Sequence, residues 1–206
     1  MRKIILATNN AHKVNEIKRI FKLYQFLTLK DIGFNEEIVE DGLTFEENAL
    51  IKARKVHEWV KNNTNLDCAV IADDSGLCVK AINYEPGVYS ARYSGLGDEG
   101  NRQLVLNKLL DIQDRTAYMQ CYAVLIMPDG QTFVEEGKTY GLITKTKIGN
   151  EGFGYDCIFW SNKLNKTFGQ ATDAEKDSIS HRAIAMGKLK EYLDSINYRG
   201  LDDSEY

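Results

Sequence analysis

The chain has 206 residues, of which 43% are hydrophobic and 27% are charged, a composition typical of ordinary globular proteins. This length is enough for one sizeable domain or two small ones with a buried core. The formal net charge of −4 argues against a general nucleic-acid-binding protein, which would carry a basic stripe, but not against a local basic pocket for one small anion.

Apolar periodicity divides the first half of the chain into alternating strands and helices. In chain order, the predicted elements are a strand at residues 2–8, a helix at 13–24, a strand at 37–39, a helix at 44–60, a strand at 68–72 and a strand at 77–82 that pairs back on it. Thr44 followed by Glu47 is the pattern of a capping box, which marks the start of the second helix.

The second half of the chain contains more strands. Residues 83–100, rich in glycine and aromatic residues, are predicted to form a loop. The elements after it are a helix at 101–110, strands at 119–127, 132–147 and 155–160, and a last helix at 177–196. Pro128-Asp129-Gly130 is predicted to form a hairpin turn.

This order of elements predicts the α/β class, with a two-lobed mixed-sheet fold and a central active-site cleft. Helices alternate with strands early, strands cluster late, and neither a repeat nor a low-complexity linker interrupts them. We predict that residues 1–196 form a single domain and that residues 197–206 form a disordered, polar and acidic tail.

The junction between the first strand and the first helix contains small polar residues and a lysine, in the order Ala7-Thr8-Asn9-Asn10-Ala11-His12-Lys13. A strand-to-helix junction places backbone N–H groups and the positive end of a helix dipole at one point. Thr8 and Asn10 add side-chain donors and Lys13 adds a charge, which suits a phosphate. The alternative is a plain N-cap beside a surface lysine. The G-x-x-x-x-G-K pattern of a P-loop is missing.

Lys52 and three acidic residues are candidates for an anion or metal site. Lys52 falls on the apolar stripe of its helix, where a lysine either extends to solvent or meets an anion. Asp73 and Asp74 follow a buried strand, and paired carboxylates at a strand end commonly hold Mg²⁺ at the ligand crevice. The alternative is an Asp-Ser-Gly turn that the aspartates cap. Glu40 offers another carboxylate beside a glycine.

Two segments late in the chain could bind an aromatic ligand. Gly152-Phe153-Gly154-Tyr155-Asp156 places two aromatic residues and an acid in a glycine-rich turn, which could stack on a nucleobase and bond its polar edge. The alternative is a turn that closes onto the next core strand. Lys176, His181 and Arg182 supply donors at the start of the last helix, where the alternative is an ordinary N-cap with solvated charges.

The cysteines indicate a reducing compartment. The chain has four cysteines, none in C-x-x-C spacing, and three histidines far from them, which does not match a zinc site. Cysteines scattered in this way are typical of small hydrophobic residues in a reducing compartment. Strand and turn begin at once, and no apolar run approaches ~18 residues, so we predict a cytoplasmic protein without a leader, a transmembrane helix or membrane binding.

In this order, the segments resemble the inosine triphosphate pyrophosphatase family, the dITP/XTP pyrophosphatases that clear aberrant purine nucleotides. The matching segments are LATNNAHK at residues 6–13, EDGLTFEENA at 40–49, KA at 52–53, ADDSGL at 72–77, PGVYSARY at 86–93, GFGYD at 152–156 and EKDSISHR at 175–182. The resemblance extends to about residue 193, and each segment is modest alone but specific in this order.

The resemblance implies a homodimeric catalytic domain that hydrolyses dITP, ITP or XTP to the monophosphate and pyrophosphate with Mg²⁺ as cofactor. It implies that Asp74, Lys13 and Lys52 are catalytic and that Glu40 and Asp74 bind the metal. The implied substrate-binding residues are Thr8, Asn9, Asn10, Lys13, Ser75, Phe153, Gly154, Tyr155, Asp156, Lys176, His181 and Arg182. Family precedent makes Asp74 the base that activates water, with Asp73 or a hydroxide on the metal as alternatives.

Two other functions remain open from the sequence. One is a non-catalytic nucleotide-binding module, which would lack acids such as Glu40, Asp73 and Asp74. The other is a Maf-like pyrophosphatase for another modified nucleotide, against which the segments at residues 153–156 and 180–182 argue. For a purine substrate, His181 and Arg182 would donate hydrogen bonds to a 6-oxo group, whereas the 6-amino group of adenine would place a donor against these donors. How guanine is excluded does not follow from the residues.

Overall fold

Strands and helices alternate along the first part of the chain in the computed structural model, which describes residues 3–199. The strands are β1 (Lys3–Leu6), β2 (Gln25–Thr28), β3 (Ala69–Val79), β4 (Glu85–Pro86), β5 (Thr116–Ile126), β6 (Thr132–Ile143), β7 (Phe159–Ser161) and β8 (Lys166–Thr167). The α-helices are α1 (Ala11–Ile20), α2 (Phe45–Asn63), α3 (Gly97–Lys108), α4 (Asp173–Asp177) and α5 (His181–Ser195). Short 3₁₀ helices occupy Lys80–Ile82, Gly87–Arg92, Asp156–Ile158 and Phe168–Gln170.

The strands form one 8-stranded mixed sheet in the order β2-β1-β3-β5-β6-β7-β8, with β4 paired to β3. β1 is parallel to β2 and to β3, so that Ile4 lies opposite Phe26 on one side and Ala69 on the other. β4 is antiparallel to β3, and β7 is antiparallel to both β6 and β8. The predicted α/β class with a mixed sheet is therefore confirmed.

The chain divides into two compact units. Unit 1 contains the described parts of Met1–Asp74, Tyr122–Glu136 and Ala185–Tyr206, and unit 2 contains Ser75–Cys121 and Gly137–Ile184. The divisions fall inside β3, β5, β6 and α5, so no linker separates the units. That residues 1–196 act as one catalytic domain stays a prediction.

Unit 1 is built around α2, whose start the capping box fixes as predicted. The Thr44 hydroxyl accepts the Glu47 N–H at 3.1 Å, and the Glu47 carboxylate accepts the Thr44 N–H at 3.3 Å. The apolar stripe of α2 is buried, and each fully buried aliphatic or aromatic side chain contributes about 1.5–3 kcal/mol. The core of unit 1 contains Ile5, Ala7, Leu29, Phe34, Ala49, Ala53, Val56, Val60, Cys68, Val70, Ala72, Val124 and Ile126.

Unit 2 has its own core, in which strands β3 and β5 to β7 contribute most of the apolar side chains. The rings of Phe159 and Phe168, both in this core, lie 5.1 Å apart between their centroids. The core of unit 2 contains Leu77, Val79, Val105, Leu109, Ala117, Met119, Ile143, Tyr155, Ile158, Phe159 and Phe168.

Two predictions in the first part of the chain are wrong. α1 ends at Ile20, and the apolar residues assigned to its continuation instead lead into β2. Tyr24 and Phe26 both pack edge-on against Phe21, at centroid distances of 5.5 and 5.6 Å, which favours an extended chain there. Residues 37–39 form no strand, and Val39 is exposed.

The predicted end of the strand at residue 72 is also wrong, and so is the alternative of an Asp-Ser-Gly turn, because β3 continues without interruption to Val79. Asp73 and Asp74 therefore lie inside a strand rather than at its end, and residues 77–79 extend the same strand instead of pairing back on it. The Leu77 N–H donates to the Ser90 hydroxyl at 3.0 Å, one of the bonds that hold the extended chain in unit 2.

Smaller differences concern boundaries in unit 2. The predicted loop at residues 83–100 contains β4, a 3₁₀ helix and the first turn of α3. Residues 156–158 form a 3₁₀ helix before β7, and the last helix begins at His181, after the separate helix α4. The hairpin turn is confirmed: the Gly130 N–H donates to the Met127 carbonyl at 2.8 Å, and Gly130 has a φ of +92°.

Tyr198 lies at the start of the segment predicted to be a disordered tail, but it is buried. Its hydroxyl accepts the Ala69 N–H at 2.6 Å and donates to the Lys3 carbonyl at 3.0 Å. These bonds attach the chain to β1 and β3 within unit 1, and residues 200–206 of the predicted tail lie outside the described residues.

Within residues 3–199, none of the helices combines the length and the apolar character that a membrane span requires.

Candidate active site

The junction between β1 and α1 is an N-cap, as the simpler interpretation predicted. The Asn10 side-chain oxygen accepts the N–H groups of His12 and Lys13 at 3.0 and 3.2 Å, and the Asn10 N–H donates to the Thr8 hydroxyl at 3.1 Å. These first N–H groups of α1 are therefore already satisfied. The Thr8 hydroxyl hydrogen and the Asn10 amide nitrogen are donors that the cap does not use, and Asn9 is exposed.

Lys13 points back towards β3 rather than into solvent. Its Nζ lies 3.3 Å from Asp73 Oδ2, and only 13% of the lysine side chain is exposed, whereas the aspartate side chain is fully buried. The interpretation of Lys13 as a surface lysine is wrong. The junction thus supplies one cation to a buried carboxylate.

Lys52 occupies the position on α2 that its spacing predicted, and it does not extend to solvent. It is 8% exposed, and its Nζ lies 2.8 Å from Glu40 Oε1 and 3.7 Å from Asp74 Oδ1. Within unit 1, a single ammonium group therefore connects the two carboxylates that were predicted to bind metal.

The loop that carries Glu40 is held by the first turns of α2. The Asn48 side-chain oxygen accepts the Gly42 N–H at 2.8 Å, and the Leu43 N–H donates to Glu47 Oε2 at 2.6 Å. A Cβ at Gly42 would lie 2.7 Å from Asn48 Oδ1, so only glycine fits this close approach. Asn48 was not among the predicted site residues, although the EDGLTFEENA segment contains it.

The electrostatics of this cluster are unbalanced, because three carboxylates face two lysines. Burial disfavours the charged form of Lys52, but the charges of Asp73, Asp74 and Glu40 outweigh it and raise the lysine pKa. Burial also raises the pKa of Asp74; Lys52 and Lys13 oppose this rise, while the neighbouring acids add to it. The charge of Lys52 is thus fully compensated by carboxylates. The charge of Asp74 is not, because Asp73 and Glu40 compete with it for the same two lysines.

The carboxylates of this cluster fit a Mg²⁺ ion whose remaining ligands come from substrate and water. Among residues 3–199, no group of three or more histidine, cysteine or acidic side chains is arranged as a complete metal site. Mg²⁺ is usually held by one or two carboxylates with phosphate oxygens and waters. Asp74 Oδ2 is buried and accepts no hydrogen bond within this part of the chain, and such an oxygen is a suitable ligand.

The glycine-rich turn at residues 152–156, called here the aromatic turn, is organised by Asp156 in unit 2. Asp156 Oδ2 accepts the Phe153 N–H at 2.9 Å and the Lys176 ammonium at 2.7 Å, and the side chains of Asp156 and Lys176 are each 5% exposed. The Lys176 Nζ also lies 4.9 Å from the centroid of the Phe153 ring. A buried ion pair and a cation–π contact thus fix this ring.

Arg182, in the first turn of α5, is one of the largest fully buried side chains among the described residues, and its guanidinium group faces the aromatic turn. Its Nη2 donates to the Ser75 hydroxyl at 2.7 Å, and its guanidinium carbon lies 5.8 Å from the Phe153 ring centroid. Ser180 caps α5 by accepting the Ala183 N–H at 3.1 Å, and His181 is also buried. The N-cap was predicted correctly, but the charges beside it are not solvated.

Tyr155 and Gly154 have other surroundings. The Tyr155 hydroxyl donates to the Ser90 carbonyl at 2.6 Å, and its ring belongs to the core of unit 2; burial raises its pKa. The Gly154 carbonyl accepts from Arg102 Nη1 at 2.6 Å. Arg102 was not predicted as a site residue, since nothing in the sequence connects it with a turn 52 residues later.

The fold and these side chains define an α/β protein with a lysine–carboxylate cluster in unit 1 and a turn suited to a flat aromatic ligand in unit 2. A model of the Ham1 family matches residues 4–192, and the chain belongs to this family.

Curated relatives match this chain over almost their whole length and share much of its sequence. It is 45% identical to a dITP/XTP pyrophosphatase of Clostridium perfringens, with 95% of this chain and 99% of that protein covered. It is 44% identical to a dITP/XTP pyrophosphatase of Staphylococcus epidermidis, with 94% and 97% covered. The family predicted from the sequence is confirmed.

Solved structures of this family are also similar. The Ham1 protein of Staphylococcus aureus matches with a TM-score of 0.83 at 40% identity, over 95% of this chain and 100% of that one. A HAM1 protein of Coxiella burnetii matches with a TM-score of 0.83 at 33% identity over the same shares.

The raised pKa of Asp74 predicts how a neutral substitute changes stability with pH. A carboxyl group whose pKa is higher in the folded than in the unfolded protein stabilises the fold below the unfolded value of 3.8 and loses this contribution as pH rises through the folded value. The free energy of unfolding of Asp74→Asn, relative to wild type, should therefore increase as pH rises above 3.8 and then level off. Urea denaturation in a chelator at pH 3 to 7 measures this difference. A difference that stays constant or decreases over this range would contradict the assignment.

Proposed function

We propose that this protein is a Mg²⁺-dependent nucleoside-triphosphate pyrophosphatase that hydrolyses dITP, ITP and XTP to the monophosphate and pyrophosphate. It would thereby remove deaminated purines from the nucleotide pool. The observation that carries the proposal is the burial of Lys13 and Lys52 against Asp73, Asp74 and Glu40. It supports the proposal because such a cluster offers cations for phosphate oxygens and carboxylates for a metal ion. The names of the relatives support the choice of substrate.

Unit 1 would bind the triphosphate. Lys13 and Lys52 neutralise phosphate oxygens, and the unused donors of Thr8 and Asn10 orient them, because phosphoryl transfer depends on positioning and charge neutralisation. Mg²⁺, held by Glu40 and Asp74, would supply further charge neutralisation when bound. Binding of substrate and metal would require Lys52 to exchange some of its carboxylate contacts for phosphate contacts.

Asp74 is the better candidate for the base. Asp73 is fully buried and already paired with Lys13, whereas the side chain of Asp74 is 14% exposed. A water molecule could therefore approach Asp74 more readily than Asp73, and a general base must be within hydrogen-bond reach of the proton that it accepts. In the step proposed, the oxygen of a water molecule bonds to phosphorus, the anhydride bond between the α- and β-phosphates breaks, pyrophosphate leaves, and the water proton passes to Asp74.

Unit 2 would bind the purine. Phe153 is the stacking residue, since the Tyr155 hydroxyl is bonded inside the core. Arg182, with His181 beside it, donates to a 6-oxo group, and Lys176 with Asp156 fixes the ring and the edge of the turn. Adenine would place its 6-amino donor against these donors, and a buried polar group left unpaired costs about 1–3 kcal/mol.

The main alternative from another class is a non-catalytic nucleotide-binding module. Asp73, Asp74 and Glu40 disfavour it, because acids beside a phosphate site weaken binding unless a metal or a reaction requires them. A Maf-like enzyme for another nucleotide is disfavoured by the donors around Phe153.

The direct test is pyrophosphate release from ITP, dITP, XTP, ATP, GTP and the pyrimidine triphosphates, each with Mg²⁺ and with a chelator. We expect fast release from the first three substrates with the metal and little release from any substrate without it. Binding of ITP without pyrophosphate release would favour the non-catalytic module, and preference for a pyrimidine triphosphate would favour the Maf-like alternative.

Substitution of one cation in each unit should separate base recognition from phosphate binding. Arg182→Ala should lower kcat/KM for ITP more than for ATP, by about tenfold or more, if a hydrogen bond from a charged donor worth about 1.5–3 kcal/mol is lost. Lys13→Ala, the control, should lower both values equally because both substrates carry the same triphosphate. Equal losses in Arg182→Ala would remove Arg182 from base recognition.

We further propose a homodimer. The homodimeric family suggested from the sequence supports this, as does a set of exposed aromatic and aliphatic side chains on one face of unit 2. The Tyr118 ring lies 5.9 Å from Tyr84 and 6.0 Å from Tyr140, and Tyr84, Tyr140 and Leu142 are 49%, 58% and 43% exposed. Sedimentation should give a dimer for wild type and a monomer for Tyr140→Glu with Leu142→Glu; a monomeric wild type would overturn the proposal.

We also infer a cytoplasmic location. None of the four cysteines, all of which lie among the described residues, is in a disulfide bond, and three of them are buried, as expected for a protein of a reducing compartment.

A further inference from the structure

Helix α3 holds the aromatic turn from outside through both peptide groups of one residue. Arg102 Nη1 donates to the Gly154 carbonyl at 2.6 Å, and the Gly154 N–H donates to Asp98 Oδ2 at 3.3 Å. Asp98 and Arg102 lie one turn apart on α3, so one rigid element fixes both sides of the glycine. These contacts all belong to unit 2.

Arg102 is itself fixed by a second set of bonds. Its Nη2 donates to Glu99 Oε2 at 2.8 Å, and the same oxygen accepts from Lys147 Nζ at 2.8 Å. The side chain of Arg102 is 16% exposed, although Glu99 is well exposed. Hydrogen bonds from Lys147 and Arg102 lower the pKa of Glu99 to about 2, so this carboxylate remains charged over the physiological pH range.

The aromatic turn needs such support because its two glycines have a wide range of accessible backbone conformations. Phe153 stands between Gly152 and Gly154, which have φ values of +72° and +58°. Glycine loses more conformational entropy on ordering than any other residue, so the position of the Phe153 ring depends on the bonds made to its flanks. Asp156 fixes the N-terminal flank through the Phe153 N–H, and Arg102 with Asp98 fixes the C-terminal flank.

From these contacts we infer that Arg102 is a positioning residue for base selection, acting through Gly154 and assisted by Asp98. The inference rests on the proposed function. Arg102 contacts the turn through a backbone carbonyl, so it places the Phe153 ring relative to Lys176 and Arg182 and leaves phosphate binding unaffected. Loss of this order should weaken the discrimination between a 6-oxo and a 6-amino purine.

The test compares Arg102→Met, Arg102→Lys and Asp98→Ala with the wild type. Arg102→Met keeps the length of the side chain and removes its donors; we expect the ratio of kcat/KM for ITP to that for ATP to fall about tenfold, the effect of one charged hydrogen bond. Arg102→Lys should give an intermediate ratio because an ammonium group lacks the planar fork that reaches Gly154 and Glu99 together. Asp98→Ala should give a smaller decrease in the same direction, since its bond is longer.

Amide hydrogen exchange tests the order of the turn independently of the kinetics. Amide hydrogen exchange of the peptide covering residues 152–156 should be faster in Arg102→Met, while exchange in β1 and α2 stays unchanged. Lys108→Met is the matched control on the same helix: its ammonium bonds Glu85, 2.5 Å away, and it should change neither the ratio nor the exchange of the turn.

The outcomes distinguish the inference from the proposed function. An unchanged ratio in Arg102→Met, or equal losses for ITP and ATP, would overturn the positioning role even if the turn exchanges faster. If the wild type releases no pyrophosphate from ITP, the proposed function is wrong, and unchanged exchange in Arg102→Met would then overturn the claim that Arg102 orders the turn.

Discussion

The burial of one lysine on the apolar stripe of α2 constrains the rest of unit 1. Lys52 is 8% exposed, and an isolated ammonium group could not remain charged at that depth, so the fold must bring carboxylates to it. Glu40 is brought by a loop that Asn48 holds, and Asp74 by a strand that continues where a turn was expected. Helix α2 can therefore bury Lys52 in its apolar face only because the carboxylates of Glu40 and Asp74 lie beside the ammonium group.

Unit 2 also buries a lysine, and there aromatic rings help to stabilise its charge. Lys176 is buried more deeply than Lys52, and Asp156 neutralises it at 2.7 Å. Here the faces of Phe153 and Phe168 take part of the role that carboxylates have in unit 1. A flat π-face stabilises a cation without adding a negative charge. Donors around Phe153 therefore remain compatible with a neutral purine, whereas the cluster in unit 1 carries excess negative charge and suits a metal ion with a phosphate.

The sequence predicted those features that local patterns determine. Spacing within a few residues predicts the capping box at Thr44, the position of Lys52 on the stripe and the hairpin turn at Gly130. The α/β class follows from the order of the elements along the chain. The passage of β3 through Asp73 and Asp74 did not follow, because two adjacent acids before Ser-Gly are typical of a turn and only pairing with distant segments makes them extended. Arg102 and Asn48 were missed for a related reason: each acts through the backbone of another segment, and a backbone carbonyl or N–H has no residue type to recognise.

The requirement for glycine at position 152 follows from the place that the acid of the aromatic turn occupies. A Cβ at Gly152 would lie 2.1 Å from Asp156 Oδ2, so the carboxylate can reach the Phe153 N–H only if residue 152 is glycine. The approach of Asp156 that orients Phe153 therefore requires a glycine, and glycine adds no conformational restriction to the turn. Order must come from side chains outside the turn, which is why a salt bridge to Lys176 on one flank and a guanidinium from α3 on the other are both present. On this argument, selectivity for the base depends on helix α3, which holds the turn through the Gly154 backbone, as well as on the side chains that would contact the base.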